Sequence, residues 1–64
     1  MKFNREQFAR NEIELALESL KVNPDNELQR DRVAFWAIKL NNLDLAREYG
    51  TSKKMKKIIE QWKS

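Results

Sequence analysis

Stretches of helical periodicity alternate along the chain with short polar breaks. The first stretch spaces Ala9, Ile13, Ala16, Leu17 and Leu20 three or four residues apart, with Phe8 and Leu15 widening the stripe. Such a stripe is the core-facing side of an amphipathic helix. Asn4 suits the N-cap, Gln7 stands at the third helical position as a variant capping box, and Phe3 and Phe8 sit at staple spacing. The pattern predicts a helix over about residues 4–21. The break VNPDN at 22–26 is a short helix–helix connection, in which Pro24 suits the first position of a new helix capped by Asn23.

A second helix is expected over about 24–40. It begins polar, but residues 33–38, VAFWAI, are apolar on every side. A helix apolar all round is buried all round. In so short a chain this segment is either the central helix of a bundle or a subunit interface, with Val33, Phe35, Trp36 and Ile38 as the interface candidates. The NNLD run at 41–44 breaks the pattern and caps a third, short helix over about 43–49 carrying Leu45, Ala46 and Tyr49 on one side. Gly50, the single glycine, follows the last periodic residue, where a left-handed C-terminal cap is expected. Thr51 or Ser52 then caps a fourth helix over about 52–63, with Met55, Ile58, Ile59 and Trp62 as its apolar stripe. Lys53, Lys54, Lys57 and Gln61 fall on its other side, with Lys56 at the boundary. The predicted architecture is a single all-α domain, 1–64, a compact bundle of four helices.

Composition narrows the chemistry. The 64 residues contain no Cys and no His, so there is no disulfide, no thiolate metal site and no imidazole base. No metal site and no cofactor are expected. A domain of this size is marginal on its own, and the apolar segment 33–38 calls for more cover than it easily supplies, so a homodimer is expected. No apolar run approaches a membrane span, and no leader pattern is read at the N-terminus; a cytoplasmic protein is expected. Glu12, Glu14 and Glu18 lie beside Arg10 and Lys21 on the wet side of the first helix and read as solvated surface, not as acid–base machinery. An enzyme is not expected.

Charge changes the picture at one end. Residues 1–50 hold eight Lys/Arg against nine Asp/Glu, whereas residues 51–64 hold five Lys against one Glu. The net charge of +3 is therefore a property of the last helix, which points to an anionic partner. Lysine in a first helical turn is locally unfavourable by about 0.3–1 kcal/mol, because the helix N-terminus is already electropositive. Beside a phosphate the same lysines become useful. A basic amphipathic helix ending in Trp62 also matches a membrane-surface signature, although the bundle needs the same stripe for its core.

Leu45 and Ala46, then Gly50, then Thr51-Ser52 opening a lysine-rich helix, resemble a helix-turn-helix DNA-binding motif over residues 42–62. The resemblance implies that Ala46 is small because two helices cross there, that Gly50 allows the turn, and that the last helix enters the major groove N-terminus first. It implies DNA as partner, with phosphate contacts from Lys53, Lys54 and Lys57 and hydroxyl or backbone contacts from Thr51 and Ser52. The family carries an aliphatic residue six positions after the turn glycine, where this chain has Lys56. The motif requires Met55 and Ile59 to share that burial by a rotation of about one residue. Residues 35–46 also resemble the inner turn of a tetratricopeptide repeat, which implies a helical hairpin. The expected function is a small non-enzymatic regulator that binds DNA through its C-terminal end. The alternative is a helical interaction module that docks on another protein, through the second helix, without nucleic acid.

Overall fold

The computed structural model describes residues 4–63, so Phe3 and its staple to Phe8 lie outside the described residues. Four helices follow one another: α1 Arg5–Val22, α2 Glu27–Lys39, α3 Leu43–Tyr49 and α4 Lys53–Lys63. The fold is a small all-α bundle, with no strand among the described residues. It is flattened, with extents of 38 × 34 × 15 Å. The backbone of α2 is the only one that approaches all three other helices, and α1 approaches α2 alone.

The caps explain the boundaries. The Asn4 side chain accepts from Gln7 N at 3.1 Å and opens α1. The capping box stays half closed, because the Gln7 side chain reaches forward and donates to Asn11 at 3.0 Å. At the next connection the expected start of α2 is corrected: Asn26, not Asn23, is the cap, its side chain accepting from Gln29 N at 3.3 Å. Asn23 instead ends α1, its N–H donating to Ser19 O at 3.1 Å. Pro24 suits two places, the first turn of a helix and the second position of a β-turn. It takes the latter, in a turn closed by Asn26 N donating to Asn23 O at 3.1 Å.

The end of α2 is a Schellman motif. Asn42 N donates to Ala37 O at 2.8 Å and Asn41 N to Ile38 O at 2.9 Å, with Asn41 left-handed at φ 60°. Asn42 then caps α3, accepting from Leu45 N at 3.2 Å. The two adjacent asparagines thus divide the work of stopping one helix and starting the next.

Gly50 corrects the expectation of a left-handed cap. Its φ is −83° and its ψ 67°, and Thr51 N donates to Tyr49 O at 3.0 Å across it. This is an inverse γ-turn, open to any residue on backbone grounds. Glycine is required for space: a Cβ here would lie 2.6 Å from Ala46 O, 2.6 Å from Ile59 Cδ1 and 3.3 Å from Ala34 Cβ.

Two apolar clusters share α2. Ile13, Ala16 and Leu20 of α1 meet Val33, with Trp36 and Leu40 partly buried against them. Ala34, Ala37 and Ile38 meet Ala46 of α3 and Met55 and Ile59 of α4. Leu45 packs against both clusters. Burying α2 on every side is therefore corrected. Val33, Ala34, Ala37 and Ile38 are buried, Trp36 is half-buried, and Phe35 is 44% exposed. Neighbours on two flanks leave the third to solvent. Trp62 departs from its stripe in the same way: α4 runs past the helices that cover Met55 and Ile59, and Trp62 is 55% exposed.

Arg30 ties the connections together and carries no sequence signal. Its guanidinium donates to Pro24 O and Glu48 O, both at 3.4 Å, and lies 5.4 Å from the centre of the Tyr49 ring.

Candidate nucleic-acid interface

The interface begins with how α4 is held. Met55 and Ile59 are 3% and 6% exposed, and they pin one side of α4 to the small side chains of α2 and α3. Alanines at 34, 37 and 46 let the helix axes come close, and Gly50 removes the last obstacle at the turn. Lys56, the position that departs from the helix-turn-helix pattern, is exposed, and its burial is taken by Met55 and Ile59. The rest of α4 therefore presents Lys53 and Lys57 opposite Met55, and Lys54 and Lys56 on the two flanks, all exposed to solvent.

None of these four lysines takes part in an ion pair among the described residues; the pairs found are Arg10–Glu6, Lys21–Glu18 and Arg47–Asp44. Uncompensated like charges at i, i+3 and i+4 repel one another. The arrangement costs little only because the side chains are long and wet. Arg47 of α3 and Thr51 line an open depression together with Lys56 and Lys57, with Glu60 on the same rim. Lys56 and Arg47 thus extend the basic surface beyond the residues that sequence reasoning selects. Lys56 is obscured in the sequence by its apparent core position. Arg47 is obscured because it belongs to another helix, and only the turn at Gly50 brings it alongside.

Of the two expected caps of α4, Ser52 takes the place. Its Oγ accepts from Met55 N at 3.2 Å, which makes it the N-cap of α4 in preference to Thr51. The same hydroxyl donates to Asp31 Oδ1 at 2.9 Å. Asp31 on α2 therefore supplies the negative charge that a helix N-terminus favours. Asp25, Glu27, Arg30, Thr51 and Ser52 line the adjoining corner. The Ser52 hydroxyl is thus engaged on both sides, by the Met55 amide and by the Asp31 carboxylate. Thr51 is exposed, with its N–H engaged by Tyr49 O. Lys53 and Lys54, in the first turn of α4, stay exposed.

The four interface candidates of α2 separate. Val33 and Ile38 are 0% and 4% exposed within the chain's own core, so they have no surface to offer a partner. Phe35 and Trp36 are accessible and stack edge-to-face at 5.2 Å between ring centres, and Phe8 of α1 meets Trp36 in the same manner at 5.3 Å. Glu18 is engaged by Lys21 at 3.3 Å, and no group of three acidic residues is placed to hold a metal ion among the described residues. No helix of the described residues is long and apolar enough to cross a membrane.

Fold and surface together define a class: a small all-α bundle with a basic helix held over an alanine-lined core. Comparison with known protein families, curated proteins and solved structures found no match.

Proposed function

We propose that the chain is a small non-enzymatic regulator that binds DNA through the exposed lysine flank of α4, as a cytoplasmic homodimer. One observation carries this reading. Lys53, Lys54, Lys56 and Lys57 all face solvent without an ionic partner among the described residues, on a helix whose other side is locked into the core. Such a flank neutralises phosphates and releases their counterions, and that is the main source of sequence-independent affinity. The helix-turn-helix reading is supported by the buried Ala46 and by Met55 and Ile59 taking the burial that Lys56 does not. The first two turns of α4 contain no Arg or Asn, so any base reading falls to Lys53 or Lys54. The binding is accordingly to backbone first.

The test is fluorescence anisotropy of a labelled random duplex across about 50–300 mM salt. Log K is expected to fall linearly with log salt, with a slope of about −3 if three or four phosphates are neutralised. The triple substitution K53Q/K54Q/K57Q should lower affinity and shrink the slope by up to about one unit for each phosphate no longer neutralised. Unchanged binding by that variant across salt removes the reading.

A second reading, a protein-interaction module without nucleic acid, is favoured by the accessible aromatic group Phe8, Trp36 and Phe35. Absence of duplex binding at about 50 mM salt, where phosphate attraction is strongest, selects it.

A further inference from the structure

We infer that the outer face of the α1/α2 hairpin is the surface on which a second copy of this chain docks, with α1 of each copy lying over α2 of the other. The inference rests on the homodimer part of the reading above and is independent of the DNA part. Large apolar residues stand out on this hairpin with a spacing of seven: Leu15 and Val22 on α1, 64% and 89% exposed, and Leu28 and Phe35 on α2, 67% and 44% exposed. Phe8 continues the α1 row, and its ring and that of Phe35 both meet Trp36, at 5.3 and 5.2 Å. The two rows therefore run side by side on one surface of a flattened molecule. A seven-residue repeat is the spacing at which helices pack lengthwise against other helices. A domain normally completes its core by adding a second layer to such a face.

Charge says what the second layer is. Glu12 stands between Phe8 and Leu15 on the α1 side, while Arg32 and Lys39 flank Phe35 on the α2 side. Lys39 Nζ lies 5.2 Å from the centre of the Phe35 ring. None of these three charges has an ion-pair partner among the described residues. The face thus sets one unpaired carboxylate on the α1 row against two unpaired cations on the α2 row, with Arg5 of α1 at the Phe8 end. A two-fold axis that lays α1 on the other copy's α2 brings Glu12 to Arg32 or Lys39 twice over. A self-complementary patch of this kind is what an isologous interface requires. Val33 and Ile38 are excluded from it by their burial.

Sedimentation equilibrium of the full chain without nucleic acid, at about 100 µM and about 150 mM salt, reads the association directly. The expected mass is twice the 7.7 kDa of one chain. Leu15→Glu should return it to one chain while the far-ultraviolet helical signal stays. Should that variant lose its helices, Val22→Glu, at a still more exposed position, takes its place with the same two readings. Glu12→Arg should weaken association at least about fivefold, and Glu12→Arg combined with Arg32→Glu should restore it, since like charges across an interface are penalised and a swapped pair is not. A parent chain that sediments as 7.7 kDa overturns both this interface and the homodimer reading. A dimer that survives the charge on the apolar row overturns this face and leaves a homodimer built elsewhere. Dissociation by Leu15→Glu without rescue by the charge swap overturns the α1-on-α2 arrangement. In every case K53Q/K54Q/K57Q should keep the parent's mass, so failure here is separable from failure to bind DNA.

Discussion

The two halves of the core solve different problems with the same central helix. Where α2 faces α3 and α4, the packing is made from alanines, a glycine and the ends of Ile38, Met55 and Ile59. Small residues bring the backbones close, and close packing fixes where α4 points. Where α2 faces α1, the packing uses longer side chains, Ile13, Leu20 and Val33, and ends in aromatic rings that remain partly in solvent. The first half is complete within one chain. The second leaves an apolar surface open. The end bearing the lysines is thus held through two side chains, Met55 and Ile59, in a small-residue seat, and the end bearing the aromatics keeps apolar surface in solvent.

This contrast is broken most directly by emptying each half in turn. Ile38→Ala should cost about 2–5 kcal/mol, because a 4% exposed side chain leaves a cavity between three helices that cannot easily collapse. Trp36→Ala should cost about 2–3 kcal/mol, below the usual range for a large aromatic, because part of the ring is exposed and the space it leaves opens to solvent. Urea denaturation of the two variants compares them. A larger loss at Trp36 than at Ile38 would place the decisive packing on the α1 side and reverse the comparison.

Gly50→Ala isolates the turn. The new Cβ would sit 2.6 Å from a backbone oxygen and 2.6 Å from Ile59 Cδ1. The methyl end of Ile59 can move, but Ala46 O is fixed by the helix, so a loss of about 1–3 kcal/mol is expected from overpacking. Because φ at Gly50 is −83°, no part of this loss comes from a forbidden backbone region. Combining Gly50→Ala with Ile59→Val, which removes the Cδ1 atom, should recover part of the loss in thermal melts. Absence of any recovery would assign the whole effect to the Ala46 carbonyl.

These residues also show what the sequence makes legible. The number, order and approximate extent of the helices follow from periodicity and from asparagines at breaks, because those signals are local. Where two locations suit one residue, as for Pro24, the choice depends on which neighbouring asparagine captures the first amides, and the pattern alone does not decide it. The position of Gly50 after the last periodic residue marks it as required, but for a backbone reason, whereas its reason is the approach of Ala34 and Ile59 from other helices. Periodicity likewise places Phe35 and Trp62 on helices without telling how far the neighbouring helices extend to cover them. The lysines are legible as a charge excess. Their partnerless state, the addition of Arg47, and the engagement of Ser52 by Asp31 are long-range facts that only the fold reveals.

The Ser52–Asp31 hydrogen bond sharpens the comparison on its functional side. Ser52→Ala removes both the cap of α4 and its tether to α2, and about 1 kcal/mol of stability is expected to go with it. Helicity of α4 should fall first, detectable as early amide exchange in that segment.

The smallest effect on stability, and the most informative on function, is expected from Asp31→Asn. Asn keeps an oxygen to accept from the Ser52 hydroxyl, at 2.9 Å in the parent, and removes the charge. The helix N-terminus then loses its internal carboxylate, so stability should change by no more than about 0.5–1 kcal/mol. On the proposed reading, phosphates that meet Lys53 and Lys54 gain, because a carboxylate at the start of the same helix is removed. One charge within a few ångströms is worth about 1 kcal/mol in water before screening. Duplex affinity should therefore rise a few-fold at about 50 mM salt and converge with the parent as the Debye length shortens. The direction is opposite to that expected of K53Q/K54Q/K57Q, so the two variants together distinguish a surface that meets phosphate from one that is merely basic. Equal affinity of Asp31→Asn and the parent at low salt would place the bound backbone away from the N-terminal turn of α4, along Lys56, Lys57 and Arg47.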